Sequence, residues 1–289
     1  MAVDLRLADD AARLVAVTVL NREPAERAVD RTVLAELLTP QHGTGLQSAA
    51  ADALARDPAD DTADRLLAGW AGYTPELRAH VFDLLLTRDA WLRRLLKAAE
   101  VNEVPPGQID AARRQFLLTH RDAAVRKRAE ALFAGATRPD RQRVLREYQD
   151  VLTLVGDRGR GKAVFAKHCA GCHHLDGVGH AVGPGLDAMV LKPPSYLLQE
   201  ILDPNRNVDS RYVEYRAVTK DGKSVSGVLA AESGGTIVLR GPDGRDQTVF
   251  RAQLQELADT GRSLMPEGFE TLMARQELAD VIAYLTGRK

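Results

Sequence analysis

KHCAGCHHLDG, residues 167–177, holds both cysteines of the chain, Cys169 and Cys172, and three of its seven histidines, His168, His173 and His174. Three chemistries use cysteines this close together. A redox dithiol of the thioredoxin kind needs a strand–helix–strand setting, and none surrounds this one. A structural zinc site takes four ligands, usually from two knuckles. Only one knuckle exists here, and His173, His174 or His180 would have to complete it at abnormally tight spacing. The third chemistry is covalent haem attachment, for which Cys-x-x-Cys-His is the pattern. Two thiols add to two vinyl groups, and the histidine directly behind is then held under the iron. A chain without further cysteines suits that reading, because a spare thiol would interfere with attachment. The motif predicts one haem c on Cys169 and Cys172 with His173 at the iron, and zinc is the alternative that remains.

Working outward, "GKAVFAKHCAGCHH" (161–174) reads as a helix running into the motif. Before it, "VGDRGRG" (155–161) carries three glycines and marks a boundary. After it, "DGVGHAVGPGLD" (176–187) is too glycine-rich for regular structure and reads as a loop wrapped around something. "PPSYLLQEILDP" (193–204) is a helix stopped by Pro204. From Tyr212 the pattern alternates apolar and polar residues between turns at Asp221-Gly222, Gly234-Gly235 and Asp243-Gly244, which predicts a three- or four-stranded antiparallel meander. The chain then returns to helix, with Leu278, Val281, Ile282 and Leu285 on one face.

Up to about residue 153 the periodicity is helical. Apolar residues at i, i+4, i+7 and i+8 recur in three sets: Leu46, Ala50, Ala53, Leu54; Leu77, Val81, Leu84, Leu85; and Val125, Ala129, Leu132, Phe133. Each set follows a turn signal, and the starts fall 31 and 48 residues apart, near the roughly 40–47 of HEAT-like helical repeats. An ordinary helical bundle is the alternative. The expected architecture is mainly α: a HEAT-like repeat domain over 1–153, then a haem domain over 154–289 with a small antiparallel β insert at about 210–258. In the first helix, "AARLVAVTVL", apolar residues spread around the circumference, which predicts an apolar end face that a preceding repeat would cover.

Composition narrows the class. With 289 residues and 45% hydrophobic content the chain can bury real cores, and a net charge of −1 argues against a nucleic-acid binder. Basic residues concentrate between 91 and 146, which reads as solvated helix faces. No apolar run reaches the roughly 18–20 residues of a membrane span. Asp4, Arg6, Asp9, Asp10 and Arg13 stand where a secretory signal would be apolar, so the start is not a signal peptide.

Residues 156–289 resemble a class I cytochrome c. "GKAVFAKHCAGCHHLDG" is similar to its first helix and attachment site, "VGPGL" to its proximal loop, "SLMPEGF" to its methionine loop and "ELADVIAYL" to its last helix. The resemblance implies that the Pro184 carbonyl accepts a hydrogen bond from the iron-bound His173. It implies too that Gly161 and Phe165 meet Tyr284 where the two helices cross. The segment from "DPNRNVDSRYVEYRAV" to the end resembles more narrowly the haem-binding domain of the planctomycete and verrucomicrobial type. There a β insert sits inside the cytochrome fold, helical repeats often precede it, and a dehydrogenase-like propeller often lies upstream. The chain would then be the C-terminal part of a larger protein. One departure is Ala274, where a Ser or Thr cap would pair with Glu277; its loss costs about 1 kcal/mol and blurs the start of the last helix.

Candidates for the second axial ligand are Met265, Met189, Met273, His168, His174 and His180. His168 and His174 are tied to the attachment helix and reach the opposite face poorly. Met273 reads as core, and His180 lies on the proximal side. Met265, in "SLMPEG" before the final helix, is the preferred ligand. It stands 92 residues beyond His173, a distance that the β insert accounts for. Iron held by His and Met has no open position, so the expected function is an electron carrier rather than an enzyme, fed by a redox partner or an upstream dehydrogenase domain. A haem sensor or peroxidase-like protein with a labile ligand, and a repeat scaffold for partner docking, are the alternatives. Haem c attachment implies a periplasmic or cell-surface location, and a monomer is expected.

Overall fold

The computed structural model describes residues 10–287 apart from 24, 60, 135–138 and 207. Eight helices form the N-terminal block: α1 (Asp10–Val17), α2 (Arg27–Leu37), α3 (Thr44–Ala55), α4 (Asp61–Leu67), α5 (Pro75–Leu85), α6 (Asp89–Glu100), α7 (Ala111–Leu118) and α8 (Ala123–Ala134). Local chemistry starts several of them. Thr74 caps α5 ahead of Pro75, and Asp110 accepts from the Arg113 N–H at the head of α7. Helices two apart in sequence stack: α1 on α3 and α3 on α5 in one row, α4 on α6 and α6 on α8 in the other. Polar pairs repeat the same interval. Arg31–Asp61, Arg94–Asp64, Arg113–Asp83 and Arg128–Glu100 each join residues 28 or 30 positions apart.

That geometry corrects the spacing read from sequence. The first two apolar sets lie on α3 and α5, in one row, but the third lies on α8, in the other. The interval of 48 crossed from one row to the next; α7 is the element that follows α5 in its own row. The expected end face is present. In α1, Val17 is buried while Leu14 and Val15 are 38% and 69% exposed; Val19, in the turn after it, is 61% exposed, and Val29 of α2 is 69% exposed.

The next elements, α9 (Pro139–Glu147) and a 3₁₀ segment at Gln149–Thr153, pack away from this block. Val144, Leu145, Tyr148, Val151 and Leu152 join a second core, shared with α10 (Arg158–His168), α11 (Pro194–Leu202), α12 (Phe269–Leu272) and α13 (Arg275–Leu285). The turn to the second core therefore falls near residue 139, ahead of the glycine-rich stretch at 155–161. In the loop after α10, β1 (His174–Leu175) and β2 (Val178–Gly179) form a minimal hairpin. The helix expected to run to His174 thus stops at His168, His174 enters β1, and β2 lies within the glycine-rich stretch expected to lack regular structure.

The insert is a five-stranded antiparallel sheet, one strand more than expected: β3 (Val213–Thr219), β4 (Ser224–Glu232), β5 (Thr236–Arg240), β6 (Asp246–Phe250) and β7 (Leu254–Ser263), in the order β6-β5-β4-β3-β7. The three predicted turns are where they were placed, with Gly222 and Gly244 in the left-handed region at φ 83° and 74°. The additional strand, β7, pairs with β3 through two register shifts and carries the insert to residue 263.

Candidate functional site

The attachment stretch continues α10. Asp157 caps the helix by accepting from the Arg160 N–H at 2.7 Å, and Cys169 follows its last turn. The helix is fixed by its crossing with α13. A Cβ on Gly161 would stand 2.0 Å from the Asp280 carbonyl oxygen and 2.9 Å from Tyr284 Cβ, so only glycine lets the backbones approach this closely. Phe165 and Tyr284 pack with ring centroids 5.6 Å apart. The three residues named for this crossing thus meet there. Asp280, 2% exposed, completes it: its carboxylate accepts from the Asp157 N–H, from the Arg160 guanidinium and from Gln276. The helix start is also clear. Glu277 accepts from the Ala274 N–H at 2.8 Å, half a capping box that needs no side-chain acceptor at Ala274.

Beyond the helix end, His173 Nδ1 lies 2.8 Å from the Pro184 carbonyl oxygen. A carbonyl can only accept, so Nδ1 carries the proton and Nε2 keeps its lone pair. Burial lowers the His173 pKa, and the bond to Pro184 offsets part of that effect, so the ring is held neutral. Gly183 makes the ring's position possible: a Cβ there would stand 2.7 Å from His173 Cε1. Burial raises both thiols, Cys169 to about 12 and also through its neighbour Cys172.

Cys169, Cys172, His173 and Pro184 share one cavity of about 330 Å³ with Met189, Met265 and Leu285. Its size falls in the range of small-molecule sites, roughly 300–1,000 Å³, and its walls are largely apolar. Met265 stands in a tethered loop. Its N–H donates to Ser263 Oγ at 3.1 Å, and the Ser263 N–H donates to Asn205 Oδ1 at 2.8 Å. Asn205 Nδ2 in turn donates to Glu267, on the far side of the methionine. Of the other sequence candidates, Met273 is 4% exposed in the second core, and His168, His174 and His180 do not line the cavity. Met189 does line it, so two thioethers face the same space.

The insert supplies a wall. Val228 of β4 lines the cavity, Arg240 donates to the Ala181 carbonyl oxygen at 2.9 Å, and the Cys172 Sγ lies 3.9 Å from the Pro242 carbonyl oxygen. Sequence reasoning missed Asn205, Glu200, Asp280 and Gly183. Only Gly183 left a local signal, beside the proline of "VGPGL".

Residues 159–224 match the family model for cytochrome c. The chain carries a cytochrome c-like domain. That match supports a haem-binding, electron-transfer role for the region, and it ends at the start of β4, ahead of Met265. No curated protein matches the chain. Among the described residues, no helix is long and apolar enough to cross a membrane.

The residues present fit a haem. A neutral imidazole with a free Nε2, two thiols and two thioethers around one apolar cavity form a donor set suited to covalent haem and its iron. No group of three or more His, Cys, Asp or Glu side chains that could hold a metal ion occurs among the described residues.

Proposed function

We propose that this protein is an electron carrier with one covalent haem c, attached through Cys169 and Cys172 and ligated by His173 and Met265. The observation that carries the reading is convergence on one cavity of both thiols, Met265 and an imidazole whose Nδ1 is already bound to Pro184. When bound, the haem supplies a reversible one-electron couple. The chain's own residues do the rest. Pro184 fixes the tautomer and plane of His173 and makes it a better donor. Met265 offers a soft, neutral thioether that favours the reduced state and raises the potential relative to two histidines. The largely apolar walls, with Val228 of the sheet among them, lower the polarity around the site.

His173 and Met265 would both be engaged in holding the iron, which would leave no open place for a substrate there and favours a carrier over an enzyme. Electrons would come from a dehydrogenase module or a redox protein. Val190 and Leu191, 54% and 84% exposed and next in sequence to Met189, offer an apolar surface that such a partner could use. The stacked pairs α1–α8 read as HEAT-like repeats. Together with the insert they support the planctomycete and verrucomicrobial type of domain, whose haem is attached in the periplasm or at the cell surface. A docking scaffold would use the same repeats but leave the cavity without a purpose.

The sensor or peroxidase-like reading rests on one observation: Met265 lies in an irregular loop, half-buried, and a loop ligand is the kind that can leave. Two measurements decide. Under denaturing, reducing conditions the chromophore stays with the polypeptide, and an intact mass equal to the bare chain would end the haem c reading. The reduced protein resists carbon monoxide, and Met265→Ala binds it, loses the sulfur–iron band in the red and drops in potential. If Met265→Ala keeps band and potential, Met189 is the ligand.

A further inference from the structure

The haem cavity contains a carboxylate that none of the foregoing uses. Glu200 projects from α11 into the wall between Leu197, Ile201 and Tyr196. The other cavity carboxylate, Asp209, is clamped by three hydrogen bonds from Arg211, one from its backbone N–H and two from its guanidinium. Glu200 has no hydrogen bond or ion pair among the described residues.

Its charged surroundings are divided. Arg206 and Lys192 favour the ionised form, and Asp203 opposes it. Tyr196, one turn earlier, feels Glu200 in return. Several charges on the elements packed against α11 are committed elsewhere, with Arg143 facing Glu147 inside α9. Arg141 of α9 pairs with Glu270 of α12 and donates to the Leu202 carbonyl oxygen, while Asp280 of α13 is held by Arg160. At the cavity α13 presents Leu285.

A charge that changes inside a low-dielectric cavity is costly unless something nearby compensates it. Gaining an electron lowers the charge of the site by one, and an unclamped carboxyl in its wall is the group able to answer with a proton. We propose that Glu200 is a redox-linked proton site: it takes up a proton from solvent when the haem domain is reduced and releases it on oxidation. The electron comes from an outside reductant, a redox protein or an electrode, and the proton from water, so charge balances and no bond other than the carboxyl O–H forms or breaks. Burial already holds Glu200 above the ordinary carboxylate range, which brings its titration closer to neutral pH.

This inference rests on the haem reading, and the experiment separates the two. Covalent haem is first verified by its retention on the denatured chain; its absence removes the reading itself. The midpoint potential of the holoprotein is then followed against pH. Ionised Glu200 favours the oxidised state, so the potential falls as pH rises through its titration and levels off on either side. A tenfold change in proton affinity between redox states separates the two plateaus by about 59 mV. Glu200→Gln, near-isosteric and neutral, flattens this step and holds the potential near the acidic plateau of the parent. A step that survives in Glu200→Gln belongs to another group, such as a haem propionate, and overturns the proposal. Should that variant not fold, Arg206→Gln decides: losing the cation moves the step to higher pH, and an unmoved step counts against Glu200.

Discussion

At the scale of single residues, the site depends on what is left out as much as on what is present. The His173 ring has its Nδ1 proton on Pro184 and its Cε1 against Gly183, so one backbone segment fixes both its hydrogen bond and its tilt. Gly183→Ala places a methyl 2.7 Å from that ring carbon. Overpacking of this kind costs about 1–3 kcal/mol, and the ring can escape only by giving up Pro184. The variant is expected to fold with less haem per polypeptide and a lower thermal midpoint. Equal haem content and midpoint would show that the loop shifts freely. Asn205 plays the matching part on the methionine side, tying Ser263 and Glu267 across the loop. Asn205→Ala leaves the half-buried Ser263 N–H without its acceptor, costs about 1 kcal/mol, and should lower the temperature at which the sulfur–iron band disappears. It should do so without altering the covalent attachment.

Among elements, the α10–α13 crossing orients the attachment helix, and Asp280 is its polar centre. Burial pushes the Asp280 carboxyl up in pKa, but the hydrogen bonds from Arg160, the Asp157 N–H and Gln276 outweigh it and hold the group below the usual carboxylate range. A carboxyl depressed by folding stabilises the native state above its unfolded value, near 3.9, and that contribution disappears as pH falls through the folded value. Acid unfolding of the parent should therefore steepen below about pH 4. Asp280→Asn should be less stable at neutral pH, by about 1–3 kcal/mol, and should lose less on acidification, as thermal melts at both pH values will tell. Much of this element level was legible. The helix periods of α10 and α13 and the Asp-Gly turns are local signals, and local signals survive in a bare sequence. β7 was not legible, because two register shifts against β3 break the alternation that marks a strand. β1 and β2 have two residues each, too few to show a period. Asp280, Asn205 and Glu200 had no local signature at all; each acquires its role from partners remote in sequence or from the cavity around it.

In the whole molecule, the sheet joins the helical block to the haem cavity. One anchor surrounds Arg78 of α5 and Asp259 of β7, a buried ion pair whose side chains are 5% and 6% exposed. Gln108 donates to the same carboxylate at 2.8 Å, and Tyr215 of β3 donates to the Tyr73 carbonyl oxygen at 2.7 Å. A second anchor is Arg251, 1% exposed, which donates to the Pro40 carbonyl oxygen and to Glu232, itself the acceptor for Thr44. Because β4 of that sheet lines the cavity, the helical block is held at a fixed place relative to the cavity. The chain offers two separable reporters. Both tryptophans, Trp70 and Trp91, lie in the helical block, whereas the haem absorbance would report on the second core. In the parent, denaturation followed by the two signals should coincide, as a shared buried interface requires. Removing one partner of a buried ion pair costs about 3–5 kcal/mol, because the charge left behind is uncompensated. Arg78→Met should therefore shift the tryptophan transition to lower denaturant while the haem transition moves less, opening a gap between them. If both signals still fall together at the parent's midpoint, the ion pair does not couple the two halves, and Arg251 with Glu232 must carry the connection alone.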